Sequence, residues 1–508
     1  MQRNRKNKTL RFLKKYHKWV SLALTPLIIL FAISGIVLNH RETFSPVDVN
    51  RKFLPDNYTY KNWNLAAVKG SLNIGNDSLL IYGNIGIWLT DSTFSRFTDF
   101  NRGFPKGIDN RKISSMAITG NNQLLAGTFF GLYRLNRSTL TWDQVSLPIK
   151  EKRIVKVLRV GEEILVLTRS HLLKSTDGLK TFTEIRVPSA FGHDTKVSLF
   201  RTIWMIHSGE IYGIAGKLIM DAIALIFIFI TITGLIYFFV PLVLKKLSEN
   251  VKQKVKKINK FSITWHNHFG VWTFVLLVIS AATGIFLRPP LLITIAESRI
   301  AAIPGTIMSQ SNPWFDKLRD IIHDEENGRF ILSTNEGFYF SDDGFVTPLT
   351  SFAVQPPVSV MGINVLEKSG DGKYLIGSFS GLFSWQPEEG TVMDVITGEP
   401  VKATIQSGPP FGAVSVAGYL KSGNNFMIFD YANGMTPLTG KGLPPMPDEI
   451  VSKSRISLWN FSLEIHTGRI FENILGLFYI LVVPMTGLAL LFSLVTGLWL
   501  WLKLRRKK

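Results

Sequence analysis

Four long apolar runs divide a chain that otherwise alternates short apolar and polar stretches. A helix of about 20 residues crosses the roughly 30 Å hydrocarbon core of a bilayer, and each run reaches that length. The pattern therefore predicts an α-helical membrane protein with four transmembrane helices. We place the helices at residues 19–40, 203–243, 263–287 and 460–502.

The two long segments between these runs, residues 44–200 and 291–456, have the pattern of short β-strands separated by Gly, Asp and Asn turns. Related motifs recur in them, "FFGLYRLN" in the first and "FSGLFSWQ" in the second, and Gly86 and Gly131 are 45 residues apart. A period of 40–50 residues is typical of the four-stranded blades of a β-propeller. We predict all-β external domains that form one joint propeller of about seven blades. Two separate all-β or α+β domains are the alternative.

The apolar runs themselves are duplicated. "YHKWVSLALTPLIILFAISGIVL" aligns with "WHNHFGVWTFVLLVISAATGIFL" at a constant offset of 249, which places His17 on His266. "IHSGEIYG" aligns with "IHTGRIFE" at an offset of 259, which places His207 on His466. The chain is therefore predicted to consist of two parallel repeats of helix, external domain and helix.

Positive charge is concentrated beside the apolar runs. The tail 1–18 has eight basic residues, the loop 244–261 has seven Lys and one Glu, and the tail 503–508 has five basic residues, so these segments hold 19 of the 20 net positive charges. Lys and Arg at the ends of spans resist translocation. We therefore expect both termini and the loop to be cytoplasmic, and the first run to remain as an uncleaved helix. The charge indicates attraction to an anionic lipid bilayer rather than nucleic-acid binding.

The repeated histidines are the candidate chemistry. The chain has no cysteine, which excludes disulfides, iron–sulfur clusters and covalently attached haem. In a four-helix bundle with sequential neighbours, equivalent spans lie diagonally. His17 and His266 would then face each other near the cytoplasmic side, and His207 and His466 near the external side. Facing imidazoles suit the axial positions of a haem iron, so we predict four axial ligands for two b-type haems.

Two further histidines break the repeat. His40 lies near the external end of the first run, and its counterpart is Pro289. It is an alternative to His207 or His466 as a ligand, or a neighbour of a haem propionate. His268 is about 200° around a helix from His266, so we expect it to support the ligand or to face an electron donor.

Other polar and small residues accompany the histidines. Lys217 and Asp221 are four residues apart and are expected to neutralise each other. The glycines of the Ser/Thr-Gly pairs near the opposite span ends are expected to make room for a planar ring. Arginines near the external span ends are expected to pair with haem propionates or to lie at the membrane interface. They are Arg41, Arg201, Arg288 and Arg469.

The four apolar stretches resemble the PepSY-associated transmembrane proteins of bacterial inner membranes. The similarity lies in the histidine that opens the first span, the Ser/Thr-Gly near its end, and the "IHTGR" that opens the last. The resemblance implies haem-binding membrane reductases, several of them associated with iron from ferric siderophores, with His17, His266, His207 and His466 as haem ligands. The external segments depart from that family's usual α+β unit.

These observations lead to one main hypothesis for the function. We expect a di-haem protein of the bacterial inner membrane that passes electrons to a periplasmic acceptor, such as a ferric chelate or a protein that binds one. No nucleotide-binding motif is present, so the donor would be a separate cytoplasmic protein or a quinol. The alternative is a non-redox receptor or assembly factor whose propeller binds a partner while the helices only anchor it.

Overall fold

The structure, a computed structural model, describes residues 2–357, 361–370, 372–401 and 412–505, and these form two compact units. The helical unit consists of Met1–Phe44, Thr195–Gln310 and Leu458–Lys508. The β unit consists of Ser45–Asp194 and Ser311–Ser457. Both predicted external segments thus contribute to a single unit, although their ends next to the spans belong to the helical unit.

Eleven α-helices are found among the described residues. They are α1 (Gln2–Asn39), α2 (Arg41–Phe44), α3 (Leu199–Ser208), α4 (Gly213–Val243), α5 (Glu249–Trp272), α6 (Phe274–Phe286), α7 (Leu291–Ile295), α8 (Asp448–Lys453), α9 (Leu458–His466), α10 (Glu472–Leu475) and α11 (Val482–Arg505). All of them except α8 belong to the helical unit.

Among the described residues, three helical stretches are long and apolar enough to cross a membrane, namely Lys8–Asn39, Glu210–Val243 and Arg469–Arg505. The predicted third span is bent, because α5 and α6 meet at an angle of 69°. The break falls at Thr273, whose hydroxyl donates a hydrogen bond to the Phe269 carbonyl at 2.7 Å. The pair counts as a fourth span only if both helices together cross the bilayer.

The long helices pack in a cyclic order. Helix α1 contacts α4 and α11, while α5 packs on α4 and α6 packs on α11. Apolar side chains fill the space between them, including Leu24, Ile28, Ile223, Phe227 and Leu277. In this order α1 lies diagonally opposite the α5–α6 pair, as the sequence predicts for sequential neighbours.

The short helices α3 and α9 carry the ligand candidates that precede the second and fourth runs. Helix α3 packs against α6, and α9 packs against α1. Gly209 ends α3 and Gly468 follows α9, both in the left-handed conformation, with φ of 77° and 75°. A Cβ at Gly209 would lie 2.1 Å from the Gly216 carbonyl oxygen, so the turn from α3 into α4 requires glycine.

The β unit is built from six antiparallel sheets whose strands follow one another in chain order. Sheet 1 contains β2 (Gly70–Gly75), β3 (Ser78–Gly83), β4 (Gly86–Asp91) and β5 (Thr98–Asp99); sheet 2 contains β6 (Ile113–Ile118), β7 (Leu124–Thr128), β8 (Gly131–Asn136) and β9 (Thr141–Val145); sheet 3 contains β10 (Ile154–Val160), β11 (Glu163–Thr168), β12 (Leu172–Ser175) and β13 (Thr183–Ile185).

The second chain segment supplies the other three sheets. Sheet 4 contains β16 (Leu318–Asp324), β17 (Arg329–Thr334), β18 (Phe338–Ser341) and β19 (Thr350–Ser351); sheet 5 contains β20 (Ile363–Gly370), β21 (Lys373–Ser378), β22 (Gly381–Gln386) and β23 (Thr391–Asp394); sheet 6 contains β24 (Val416–Ser422), β25 (Asn425–Asp430) and β26 (Gly434–Thr439). Two short pairs complete the strands, β1 (Asp48–Val49) with β27 (Ile456–Ser457), and β14 (Val197–Ser198) with β15 (Arg299–Ile300) in the helical unit. The described residues thus contain six such sheets, where the repeat spacing predicts about seven.

The first strand of each sheet contacts the first strand of the next, and β24 of sheet 6 contacts β2 of sheet 1. Five of the six first strands carry a register irregularity close to their start. At three of these bulges a polar side chain bonds to a backbone carbonyl in or next to the following sheet. The bonds are Ser114 Oγ to Ile154 (2.8 Å), Arg319 Nε to Met361 (3.2 Å) and Asn364 Nδ2 to Val416 (2.9 Å).

The contact between sheets 1 and 6 is reinforced by the chain that leads into β2. The Leu65 amide donates to the Tyr431 carbonyl at 2.8 Å, and the indole of the fully buried Trp63 donates to the Pro444 carbonyl at 2.8 Å. The beginning and the end of the β unit are thereby fastened together across more than 350 residues of chain.

Sheets 4 and 5 are joined around the buried carboxylate of Asp324. It accepts hydrogen bonds from the Tyr374 hydroxyl and the Asn327 amide, both at 2.6 Å, and from the Lys368 ammonium at 3.0 Å. Burial alone would raise the pKa of Asp324, but these donors lower it to about 2. The carboxylate is therefore charged at neutral pH and contributes to the stability of the folded β unit.

Candidate functional site

The four repeated histidines lie in the helical unit, His17 on α1, His266 on α5, and His207 and His466 in the last turns of α3 and α9. The rings of His207 and His466 have centroids 5.9 Å apart with an angle of 53° between their planes. His17 and His266 lie on helices that pack on the same neighbours, α4 and α11. The structure thus brings together the two pairs that the duplication predicts.

Each of these imidazoles is held through its Nδ1 atom. Nδ1 lies within hydrogen-bonding distance of one backbone carbonyl oxygen on another helix. The distances are 3.0 Å from His17 to Ser493, 3.1 Å from His207 to Ser280, 2.8 Å from His266 to Ile230 and 3.0 Å from His466 to Phe31. Because a carbonyl can only accept, Nδ1 must carry the proton, and in the neutral ring Nε2 then holds the lone pair.

A hydroxyl lies next to each carbonyl, three residues later in the chain. The distances to Nδ1 are 3.2 Å for Thr496, 3.1 Å for Thr283, 3.4 Å for Thr233 and 3.0 Å for Ser34. Each hydroxyl donates its own proton to a carbonyl in the preceding turn of its helix. Its oxygen is therefore left as a second acceptor for the proton on Nδ1.

The glycine after each hydroxyl makes room for the edge of the imidazole. A Cβ on that glycine would lie 3.0 Å from the ring Cε1 atom at Gly284 and Gly497, and 3.3 Å at Gly35 and Gly234. These glycines thus lie against the histidine ring, and the expectation that they also make room for a planar macrocycle stays a prediction. We call the carbonyl, the hydroxyl and the glycine together a histidine seat.

All four seats connect the two halves of the duplicated chain. His17 and His207 in the first half use seats at Gly497 and Gly284 in the second. His266 and His466 in the second half use the seats at Gly234 and Gly35 in the first. Sequence reasoning identified the histidines and the Ser/Thr-Gly pairs but did not connect them. The sequence did contain a signal for this connection, because each of the four histidines lies at the same side of the bundle as one Ser/Thr-Gly pair on a neighbouring span.

His40, the alternative ligand, is engaged elsewhere. Its Nε2 lies 2.5 Å from Asp221 Oδ2, and the Asn39 amide donates to Asp221 Oδ1 at 2.9 Å. Asp221 therefore does not pair with Lys217 as expected; Lys217 lies 3.2 Å from Glu210 instead. The pairing was missed because it depends on how α1 packs against α4, which residue spacing within one helix does not reveal.

His268 lies apart from the seats on the surface of α5, with its ring between those of Trp265 and Trp272, at centroid distances of 5.8 Å and 5.2 Å. The arginines near the span ends have protein neighbours. The Arg41 guanidinium lies 3.9 Å from the Trp459 ring centroid, and Arg469 lies 2.5 Å from a carboxylate oxygen of Glu464.

The remaining two arginines of that set differ from each other in their surroundings. The Arg288 guanidinium lies 5.9 Å from the ring centroid of Tyr479. Arg201 occupies the first turn of α3, where its backbone amide is capped by the Ser198 side chain. All four arginines thus lie in the helical unit, as the sequence predicts.

The donor set fits a haem iron, which takes one imidazole nitrogen on each side of its plane. Each pair offers two Nε2 atoms, and no described residue forms a hydrogen bond to them. The bond at Nδ1 fixes the tautomer, as is usual for histidines that bind metals. No group of three or more His, Asp or Glu side chains suited to a metal ion occurs among the described residues.

Comparisons with known proteins identify a family that covers nearly the whole chain. The family model described as the PepSY-associated TM region matches residues 1–240 and again 242–504. The two matches correspond to the two halves of the duplication. A comparison with curated proteins gives no match.

Several solved structures are similar at low identity. They include the extracellular domain of BT4673 from B. thetaiotaomicron, with 11% identity and a TM-score of 0.36 over 73% of this chain and 32% of that one. A Bacteroides thetaiotaomicron protein of unknown function has 11% identity and a TM-score of 0.34 (77% and 71% of the two chains), and the designed protein Ika8 has 7% and 0.32 (75% and 99%). The chain thus spans about a third of the BT4673 chain. TM-scores this low carry no conclusion about fold or function.

Proposed function

The chain belongs to the family of the PepSY-associated TM region, and on that premise we propose that it is a di-haem electron-transfer protein of a bacterial inner membrane. The observation that carries the proposal is the fourfold arrangement of histidine seats. Each seat fixes one imidazole by its Nδ1 proton and leaves the Nε2 lone pair available. His17 with His266 would hold one b-type haem, and His207 with His466 the other.

Haem, when bound, supplies an iron that gains and loses single electrons. The contribution of this chain is to set the direction of the ligand atoms. A carbonyl and a hydroxyl on the proton of Nδ1 increase the electron density on the ring and keep it from rotating. Two haems held in this way, one between His17 and His266 and the other between His207 and His466, would form a route for electrons across the bilayer.

The orientation of the proposed route follows from charge. The basic tails and the basic loop 244–261 would lie in the cytoplasm, so His17 and His266 would receive electrons from a cytoplasmic protein or a quinol. His207 and His466 would pass them to a periplasmic acceptor, which we propose to be iron in an anionic chelate such as a ferric siderophore.

We further infer that the six sheets form one closed β-propeller with three blades from each external segment. The cyclic contacts of the first strands and the contact of β24 with β2 support this inference. So do the bulge side chains that bond to the following sheet. A closed ring leaves few exposed strand edges.

The second candidate is a receptor whose propeller binds a partner while the helices only anchor it. It is favoured by the polar, positively charged cavity of the β unit described below. The two candidates differ in whether the helical unit holds haem.

The test is a haem count on the purified full-length protein in detergent. We expect about two b-type haems per chain by pyridine haemochrome assay, reducible by dithionite. His207→Ala and His466→Ala should each remove the same haem, and His17→Ala and His266→Ala the other. His171→Gln in the β unit is the matched control and should keep both. Absence of haem after expression with adequate haem supply would overturn the proposal in favour of the receptor.

A further inference from the structure

The β unit contains a polar cavity that plays no part in the histidine seats. Its walls come mainly from the first strands of all six sheets, and its volume is about 200 Å³. At the liquid volume of about 30 Å³ for each water, this is room for roughly seven waters. The space suits a small molecule of about a dozen non-hydrogen atoms.

The charges that line the cavity are unequal. Six basic residues face two acidic ones. The basic residues are Lys69, Arg153, Lys156, Arg169, Arg319 and Lys421, and the acidic ones are Asp320 and Glu367. Two of the basic residues contact carboxylates, since Lys156 lies 3.2 Å from Asp320 and Arg169 contacts Asp316. The interior therefore carries a net positive charge and favours an anion.

Two tyrosines add neutral hydrogen-bond donors to the wall. Burial raises the pKa of Tyr82 and of Tyr419 to about 12, so both phenols keep their protons throughout the physiological range. Burial also raises the pKa of Glu367, although Lys156 opposes this. Hydroxyl donors and cationic side chains are the groups that recognise carboxylate and phosphate oxygens.

The wall is fixed before any ligand arrives. Lys156 and Asp320 connect sheets 3 and 4, and the Ser71 hydroxyl donates to the Lys421 carbonyl at 3.2 Å between sheets 1 and 6. Arg319 is oriented by its bond to the Met361 carbonyl at 3.2 Å. A charged wall held in place by its own hydrogen bonds lowers the cost of ordering on binding.

We propose that this cavity binds a small polyanion that carries at least two carboxylate or phosphate groups. Lys421, Arg153 and Arg319 would contact its oxygens, and the two phenols would donate to the remaining acceptors. The proposal does not depend on haem or electron transfer, because every residue that it uses lies in the β unit.

The test is isothermal titration of the full-length protein in detergent with citrate and, separately, pyrophosphate. We expect saturable binding of at least one probe, weakened by added sodium chloride, with glycerol giving no heat. The tighter of the two probes would identify the preferred group. Failure of both probes to bind at millimolar concentration would overturn the proposal.

Variants locate the binding. Arg153 and Lys421 are exposed at the cavity, so the double change Arg153→Gln and Lys421→Gln should preserve the fold and weaken binding at least tenfold. The matched control is Arg96→Gln with Lys180→Gln, which removes the same two charges from exposed positions outside the lining. An equal loss in both double variants would show attraction to the overall charge and would overturn the site. Thermal unfolding checks that both variants are folded, and the haem count should be unchanged in either.

Discussion

The helical unit and the β unit are both built from repeats, yet they use their repeated polar groups differently. In the helical unit, each repeated imidazole is bonded at Nδ1 while its Nε2 forms no hydrogen bond to any described residue. In the β unit, bulge side chains such as Ser114 and Asn364 donate a hydrogen bond to a backbone carbonyl of the following sheet. The repeated histidines therefore leave a ligand atom available, whereas the bulge side chains join neighbouring sheets.

The largest effect should come from filling a seat. Gly284→Leu would place a bulky side chain where the His207 ring lies, because even a Cβ there is 3.0 Å from Cε1. We expect loss of the haem assigned to His207 and His466, with the other retained, as measured by haemochrome assay and visible spectra. Gly284→Ala should give a partial loss.

Gly270 supplies the control for this prediction. It lies in α5, and nothing is within 4 Å of the position that its Cβ would take. Gly270→Leu should therefore keep both haems. If Gly284→Leu also kept both, the seats would not position haem ligands.

The next effect is on the β unit alone. Asp324→Asn removes a buried carboxylate whose pKa is lowered to about 2 from an ordinary value of 3.8. This shift corresponds to about 2 kcal/mol of unfolding free energy at pH 7. A depressed pKa gives stability that is present above about pH 4 and is lost as the pH falls towards 2. We expect the wild-type β unit to lose stability across this window and the variant to lose little.

Denaturant unfolding at several pH values measures the Asp324 effect. Asp77→Asn is the control, because Asp77 is exposed and such changes alter stability by less than about 0.5 kcal/mol. Haem content should be unaffected in both variants. A parallel pH dependence in the wild type and Asp324→Asn would contradict the assignment.

A smaller loss of stability is expected from changing the His40–Asp221 pair, which occurs in only one half of the helical unit. Asp221→Asn keeps the shape of the partner of His40 but removes its charge, which should cost about 1 kcal/mol. Both haems should remain. Glu210→Gln, which removes the charge beside Lys217, is the matched control. Loss of a haem in Asp221→Asn alone would show that His40 takes part in ligation.

The smallest effect concerns the hydroxyl of a seat. Thr283→Val removes the oxygen 3.1 Å from His207 Nδ1 but leaves the Ser280 carbonyl at the same distance. We expect both haems to remain, with a stability loss below about 1 kcal/mol and a small change in the midpoint potential of one haem. Thr283→Ser should restore the wild-type potential in a redox titration. An unchanged potential in Thr283→Val would restrict the electronic role to the carbonyl.

The parts that sequence could predict are those encoded by periodicity. The apolar runs, the duplication and the pairing of His17 with His266 and of His207 with His466 follow from spacing alone. The β content and its repeats follow from recurring turn motifs. The carbonyl acceptors at Ile230 and Ser280 could not be predicted, because every residue carries such a group and only the packing of helices selects one.

Other features depend on three-dimensional contacts without a local signature. The bend at Thr273 has no signature in the sequence, because Thr233 and Thr496 form the same hydroxyl bond within continuous helices. The described residues contain six sheets of three or four strands where the spacing predicts about seven, because turn spacing does not show where one segment ends. The cavity was missed because Lys156 and Glu367, over 200 residues apart in the chain, become neighbours only when the six first strands meet.

The crossing of the seats between the two halves bears on how such a chain could arise. One copy of the repeat carries two imidazoles and two Ser/Thr-Gly pairs that fit a second copy, so a half-length ancestor would have been complete only as a homodimer. Gene duplication and fusion would then have preserved every contact while freeing each copy to diverge. The His40–Asp221 pair has no counterpart in the second copy, where Pro289 aligns with His40, and it is a mark of that later independence.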